Sequence, residues 1–68
     1  MGIDRKKVGE RLAKLRGKRT QREVAEALGI SPAAVAMYES GRRMPVDELK
    51  VAIARYYHRS VQTIFFSD

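Results

Sequence analysis

The 68-residue chain has no cysteine and no tryptophan, and only one histidine and two prolines. Without cysteine there is neither a disulfide framework nor a thiolate metal site, and one imidazole does not make a metal centre alone. No apolar stretch approaches the roughly 20 residues that span a bilayer, and the N-terminus is charged rather than signal-like. The expectation is a cytoplasmic protein with no membrane partner. Internal repeats, low-complexity runs and strand-like alternation are missing. So are a nucleophile–base pair, paired carboxylates and a phosphate-binding glycine loop, which argues against an enzyme and against a cofactor. The length leads to the expectation of one domain with a small core and no separate domain to sense a small-molecule ligand.

What the chain has is positive charge, unevenly placed. The net charge is +6. Residues 1–22 hold nine of the fourteen basic groups, Arg5, Lys6, Lys7, Arg11, Lys14, Arg16, Lys18, Arg19 and Arg22, against Asp4 and Glu10. That stretch carries +7 and the remainder −1. Such asymmetry points to a face near a polyanion, with a merely solvated helix surface as the plain alternative.

Gln21 to Ser40 reads QREVAEALGISPAAVAMYES. Thr20 and Glu23 have the T-x-x-E spacing of a capping box, which starts a helix by satisfying two orphan N–H groups reciprocally. Val24, Ala25 and Leu28 then share a face. Gly29 follows where a left-handed residue ends the helix. Ser31 supplies the next N-cap, and Pro32 occupies the first helical position, where its missing N–H is harmless. Val35 and Tyr38 turn back toward the first helix. Stop, turn and restart within three residues is a helix-turn-helix arrangement.

Around it the periodicity predicts an all-α chain of five helices, near 4–16, 21–28, 32–40, 46–57 and 61–65. Asp4 caps helix 1, which buries Val8, Leu12 and Leu15. Helix 4 turns Leu49, Ala52, Ile53 and Tyr56 inward, with Asp47 and Glu48 at the positive end of its dipole. His58 falls where a left-handed residue ends helix 4, so it reads as a turn residue rather than a catalytic one. Ser60 caps helix 5, with Val61 and Ile64 inward.

The string TQ-x-x-x-A-x-x-L-G-I-S-x-x-x-V-x-x-Y-E-x-G-x-R-x-P, with these spacings, resembles the lambda-repressor-like (Cro/CI, XRE-type) DNA-binding family, from Val8 to about Phe65. The resemblance implies a five-helix lambda-repressor-like domain, with helices 2 and 3 as the motif and helix 3 in the DNA major groove. It implies a partly buried ion pair between Arg16 and Glu39. Phosphate contacts are expected from Gln21 and Arg22 at the start of helix 2, and from Arg42, Arg43 and nearby backbone N–H groups after helix 3. The sequence departs from the family in a shorter loop before Thr20, in Arg19 where an apolar residue is usual, in Val46 where Ser or Thr is common, and in His58 where Gly is preferred.

A helical wheel at about 100° per residue sets Ala33, Met37 and Ser40 opposite Val35, with Ala36 beside them. Together with Pro32, these five form the expected base-reading face. Relatives often carry hydrogen-bonding side chains there. This face instead suits thymine methyls, with DNA shape as a second source of specificity. Ile64, Phe65 and Phe66 stand together on a short chain, and relatives commonly pair through helix 5, so a homodimer through these three is expected. The reading is a small sequence-specific repressor of phage, mobile-element or bacterial type on a pseudo-palindromic duplex operator. The alternative is an antitoxin-like protein-interaction module that keeps the fold with weak or no DNA binding.

Overall fold

Asp4, Thr20 and Ser31 each accept hydrogen bonds from backbone N–H groups just ahead of them, and each begins a helix. The computed structural model describes residues 4–67. Asp4 takes the Lys6 and Lys7 N–H groups at 3.0 and 3.2 Å and starts α1, Arg5–Arg16. Thr20 Oγ1 accepts from the Glu23 N–H at 3.0 Å, while Glu23 Oε1 accepts from the Thr20 N–H at 3.4 Å. This closed box opens α2, Gln21–Leu28. Ser31 Oγ accepts from the Ala34 N–H at 3.1 Å at the head of α3, Pro32–Ser40. The next helix, α4, Asp47–Tyr57, begins after Val46 with no side-chain cap, and its first-turn Asp47 and Glu48 complement the dipole instead. Ser60 Oγ then accepts from the Thr63 N–H at 3.0 Å, ahead of α5, Gln62–Phe66, which is wound as a π-helix. No strand occurs among the described residues, and the architecture is all-α.

The helix ends turn on left-handed residues. Gly29 sits at φ 70° and Gly41 at φ 81°, while His58 takes the same role at φ 57° without being glycine. Non-glycine residues adopt this region at some cost, offset here by the hydrogen bonds from His58 and Arg59 N–H groups that close α4.

The core gathers Val8 and Leu12 of α1, Val24 and Ala25 of α2, Val35 of α3, Ile53, Ala54 and Tyr57 of α4, and Ile64 and Phe65 of α5. Two expectations need correction. The buried stripe of α4 is Lys50, Ile53, Ala54 and Tyr57, whereas Leu49, Ala52 and Tyr56 are only half-buried. Hydrophobic patterning misses this because a lysine occupies a core position. Lys50 is 8 % exposed and lies under the last two aromatic rings, its Nζ 5.8 Å from the Phe65 centroid and 5.1 Å from that of Phe66. The aliphatic stem is buried and the ammonium meets ring faces, a cation–π arrangement.

The second correction concerns the C-terminal trio. Ile64 and Phe65 are each 1 % exposed, inside the protomer's own core, so neither is available to a partner; only Phe66, at 46 %, stays in solvent. The fold covers them because α5 is clamped onto α1. Arg11 donates to the carbonyls of Ile64 at 2.7 Å and Ser67 at 2.6 Å. These charge-assisted bonds satisfy carbonyls at the end of a helix too short to hold itself.

Candidate nucleic-acid interface

Helix α3 is held from behind, and what it presents in front follows from that. Gly9 in the middle of α1 lies against the backbone of Tyr38 and Glu39; a Cβ there would come within 2.8 Å of the Tyr38 carbonyl oxygen and would overlap that of Glu39. Only glycine lets the two helices approach so closely. Gly41, just past α3, packs in the same way on the start of α1, where a Cβ would meet the Lys6 Cα at 3.0 Å. Helix α1 thus backs the C-terminal end of α3.

Glu39 fixes the rotation of α3. Its carboxylate receives the Arg16 guanidinium through two bonds, Nε to Oε2 at 2.8 Å and Nη2 to Oε1 at 3.1 Å. The Glu39 side chain is 8 % exposed and that of Arg16 23 %. The hydrogen bond to Glu39 raises the Arg16 pKa further above its ordinary range, with burial opposing and the Glu39 charge adding to the rise. Gln21 Nε2 donates to the same carboxylate at 3.1 Å, and Arg16 Nη1 donates to the Arg19 carbonyl at 2.8 Å. One carboxylate therefore ties α1, α2 and α3 together. The Gln21 amide, expected to face a phosphate, spends one N–H on Glu39, and its residue is half-buried. The first N–H groups of α2, at Gln21 and Arg22, have no acceptor within their own helix.

The corner before Thr20 is closed by Arg19. Its guanidinium lies 5.3 Å from the Tyr56 ring centre and 5.5 Å from that of Tyr57. The planar cation stacks where an apolar side chain is usual. Tyr57 beneath it is buried, and burial, aided by the Glu39 charge, pushes its hydroxyl up to about 12.

The outer side of α3 carries Pro32, Ala33, Met37 and Ser40, all exposed, with Ala36 half-buried beside them. Met37 is 36 % exposed. Pro32 has no N–H. The Ser40 hydroxyl donates back to the Met37 carbonyl at 3.1 Å, so its proton is committed within the helix. The surface presented is methyl groups and a thioether.

Basic side chains border this surface. Arg42 and Arg43 are exposed directly after α3. Their backbone N–H groups bond the Met37 carbonyl at 3.0 and 3.4 Å, and so cap α3 rather than remaining free for a phosphate as expected. The Gly41 contact brings Arg5 and Lys6, both exposed, beside this loop. Sequence reasoning counted these two only as part of a basic tract. Lys18 and Arg22 are exposed near the head of α2, where Gln21 reaches Glu39 close to the end of α3. Of the N-terminal basic residues, Arg11, Arg16 and Arg19 do structural work. Gly9 and Lys50 went unnoticed in the sequence, and Arg11 was read only as part of the basic tract; a glycine inside a helical pattern was the one readable signal among them.

Two short helices crossing at a tight turn, the second with an outward face, define the helix-turn-helix class. The family model described as helix-turn-helix matches residues 10–64. The crystal structure of the clp gene regulator ClgR from C. glutamicum is similar, with a TM-score of 0.77 and 29% identity over 94% of this chain and 86% of that one. No curated protein sequence matches. The chain belongs to the XRE-type helix-turn-helix family of DNA-binding transcription regulators, with the lambda-repressor-like fold. Among the described residues no helix is long and apolar enough to cross a membrane, and no cluster of three or more His, Asp or Glu side chains suits a metal ion.

Proposed function

We propose that this chain is a sequence-specific repressor that binds a pseudo-palindromic duplex operator as a homodimer in the cytoplasm. The carrying observation is the exposed face of α3, with Arg42, Arg43, Arg5 and Lys6 at its C-terminal end and exposed Lys18 and Arg22 near the head of α2. Basic groups beside an outward helix face suit the phosphates that flank a major groove. Pro32, Ala33, Ala36, Met37 and Ser40 form the base-reading face. Arg42, Arg43 and Arg22 hold phosphates, and Gln21 does so with its backbone N–H and its remaining amide hydrogen. The Arg16–Glu39–Gln21 network fixes the angle at which α3 enters the groove. Phe66 is the exposed member of the C-terminal trio and anchors the pairing of two protomers, which sets two copies of α3 about one DNA turn apart, roughly 34 Å. A regulator of clp genes being so similar in structure supports a role in regulation.

The apolar character of α3 favours a second reading, an antitoxin-like module whose α3 binds a protein. Selection of bound sequences from random duplex DNA separates the two. A two-fold symmetric consensus with half-sites one turn apart is expected. No enrichment from repeated rounds at low salt favours the interaction module.

A further inference from the structure

We propose that α3 recognises the C5-methyl group of pyrimidines as a chemical feature, so that thymine and 5-methylcytosine are both favoured over their unmethylated counterparts. The inference rests on the reading of α3 as the base-reading helix and names what that helix reads. Thymine and 5-methylcytosine carry the same methyl at the same place in the major groove. They differ at C4, where thymine has a carbonyl acceptor and cytosine an amino donor. Telling them apart there takes a hydrogen-bonding side chain. The side chains of Pro32, Ala33, Ala36 and Met37 offer none. Pro32 lacks an N–H, Ala33 and Ala36 end in methyls, and Met37 carries a thioether. Ser40, whose proton is committed to the Met37 carbonyl while its oxygen can still accept, is the last residue of the helix. The Ala34 N–H is likewise taken by Ser31 Oγ.

What this face does offer is apolar contact. Ala33 is exposed, and Met37, at 36 % exposed, brings a flexible and polarizable thioether that adapts to a methyl group. Burying one methyl is worth about fourfold in affinity. The occupant is duplex DNA rather than an apolar protein surface, because exposed Arg5, Lys6, Arg42 and Arg43 lie at the end of this face, and exposed Lys18 and Arg22 lie near the head of α2, whose Gln21 reaches Glu39 of α3. A partner covering it would have to meet those charges with anions, and the DNA backbone supplies them on both rims of the groove. Cytosine methylation in the operator therefore strengthens binding at the positions under Ala33 and Met37.

The test uses the full chain and one selected duplex in four versions at each position under α3, carrying T·A, U·A, 5-methylcytosine·G or C·G. Affinities are measured by fluorescence anisotropy at one salt concentration. Thymine is expected to exceed uracil, and 5-methylcytosine to exceed cytosine, each by about fourfold. Both preferences should vanish in Ala33→Ser or Met37→Ser, at whichever position that side chain covers, with the melting temperature unchanged. Equal binding of T and U together with equal binding of the two cytosines, on a duplex still bound tightly, overturns the inference alone. Failure to bind any duplex at low salt overturns the base-reading assignment and the inference with it.

Discussion

Replacing Gly9 with alanine sets two effects against each other. Glycine in a helix interior is less stable than alanine by about 0.5–1 kcal/mol, so propensity alone predicts a gain. The structure predicts a loss. The added Cβ would lie 2.7 Å from the Glu39 carbonyl carbon and 2.8 Å from the Tyr38 carbonyl oxygen. Both are backbone atoms, so no side chain can swing aside and α1 must lift from α3. Overpacking of this kind costs typically about 1–3 kcal/mol, and a backbone clash belongs at the upper end. The net is a destabilisation of about 2 kcal/mol, or a fall of roughly 8–16 °C in Tm for a domain of this size. Thermal unfolding followed by circular dichroism measures it, with Lys14→Ala on the exposed side of α1 as a control that should stay within about 0.5 kcal/mol. A Gly9→Ala protein that melts at or above the parent temperature would refute the close crossing of α1 and α3.

Glu39→Ala should destabilise far more than Glu26→Ala in denaturant titrations. The first strands the Arg16 guanidinium and Gln21 amide at a cost of about 2–3 kcal/mol, reduced by the partial exposure of Arg16, while Glu26 is exposed and should cost within about 0.5 kcal/mol. Equal midpoints would dismiss the network. Tyr57, whose hydroxyl is pushed from 10.0 up to about 12 by burial, favours the folded state while neutral. That contribution is fully present below pH 10 and is lost as pH rises through about 12, a change of about 1–2 kcal/mol once solvent access to the hydroxyl is allowed for. Tyr57→Phe should flatten the loss of stability in that window, and an unchanged alkaline profile counts against the assignment. Phe66→Ser should lower the sedimenting mass from dimer to monomer at micromolar concentration, with a modest fall in melting because the ring also covers Lys50; an unchanged mass would move the interface elsewhere.

Local chemistry was the legible part. The capping box at Thr20 and Glu23, the Ser31–Pro32 start, the Gly29 turn and the left-handed His58 are each decided by a few neighbouring residues, and a helix-turn-helix chain follows from them. The face of α4 was less so. Lys50 lies in the core because two phenylalanine rings fifteen and sixteen residues later cover it, and no short window contains both facts. Burial of Ile64 and Phe65 depends in turn on Arg11, more than fifty residues away. In the candidate site, the outward face of α3 came from its period. The second partner of Gln21 did not, because Glu39 reaches it only through the tertiary crossing of α2 and α3. Arg19 at the corner illustrates the same limit, since a charged residue reads as surface until two tyrosine rings are known to lie beneath it.

The central claim is that the bordered face of α3 docks into duplex DNA through phosphate-gripping basic groups, and the salt dependence of binding tests it most directly. If a dimer neutralises roughly six to ten phosphates, affinity for a selected duplex should fall about 10³–10⁵-fold between about 50 and 200 mM salt. Arg42→Ala should weaken binding to all sequences about equally and reduce the steepness of that fall by about one phosphate for each site lost. Affinity that is flat across this range, or a slope unchanged when Arg42 and Arg43 are both replaced, would contradict the account.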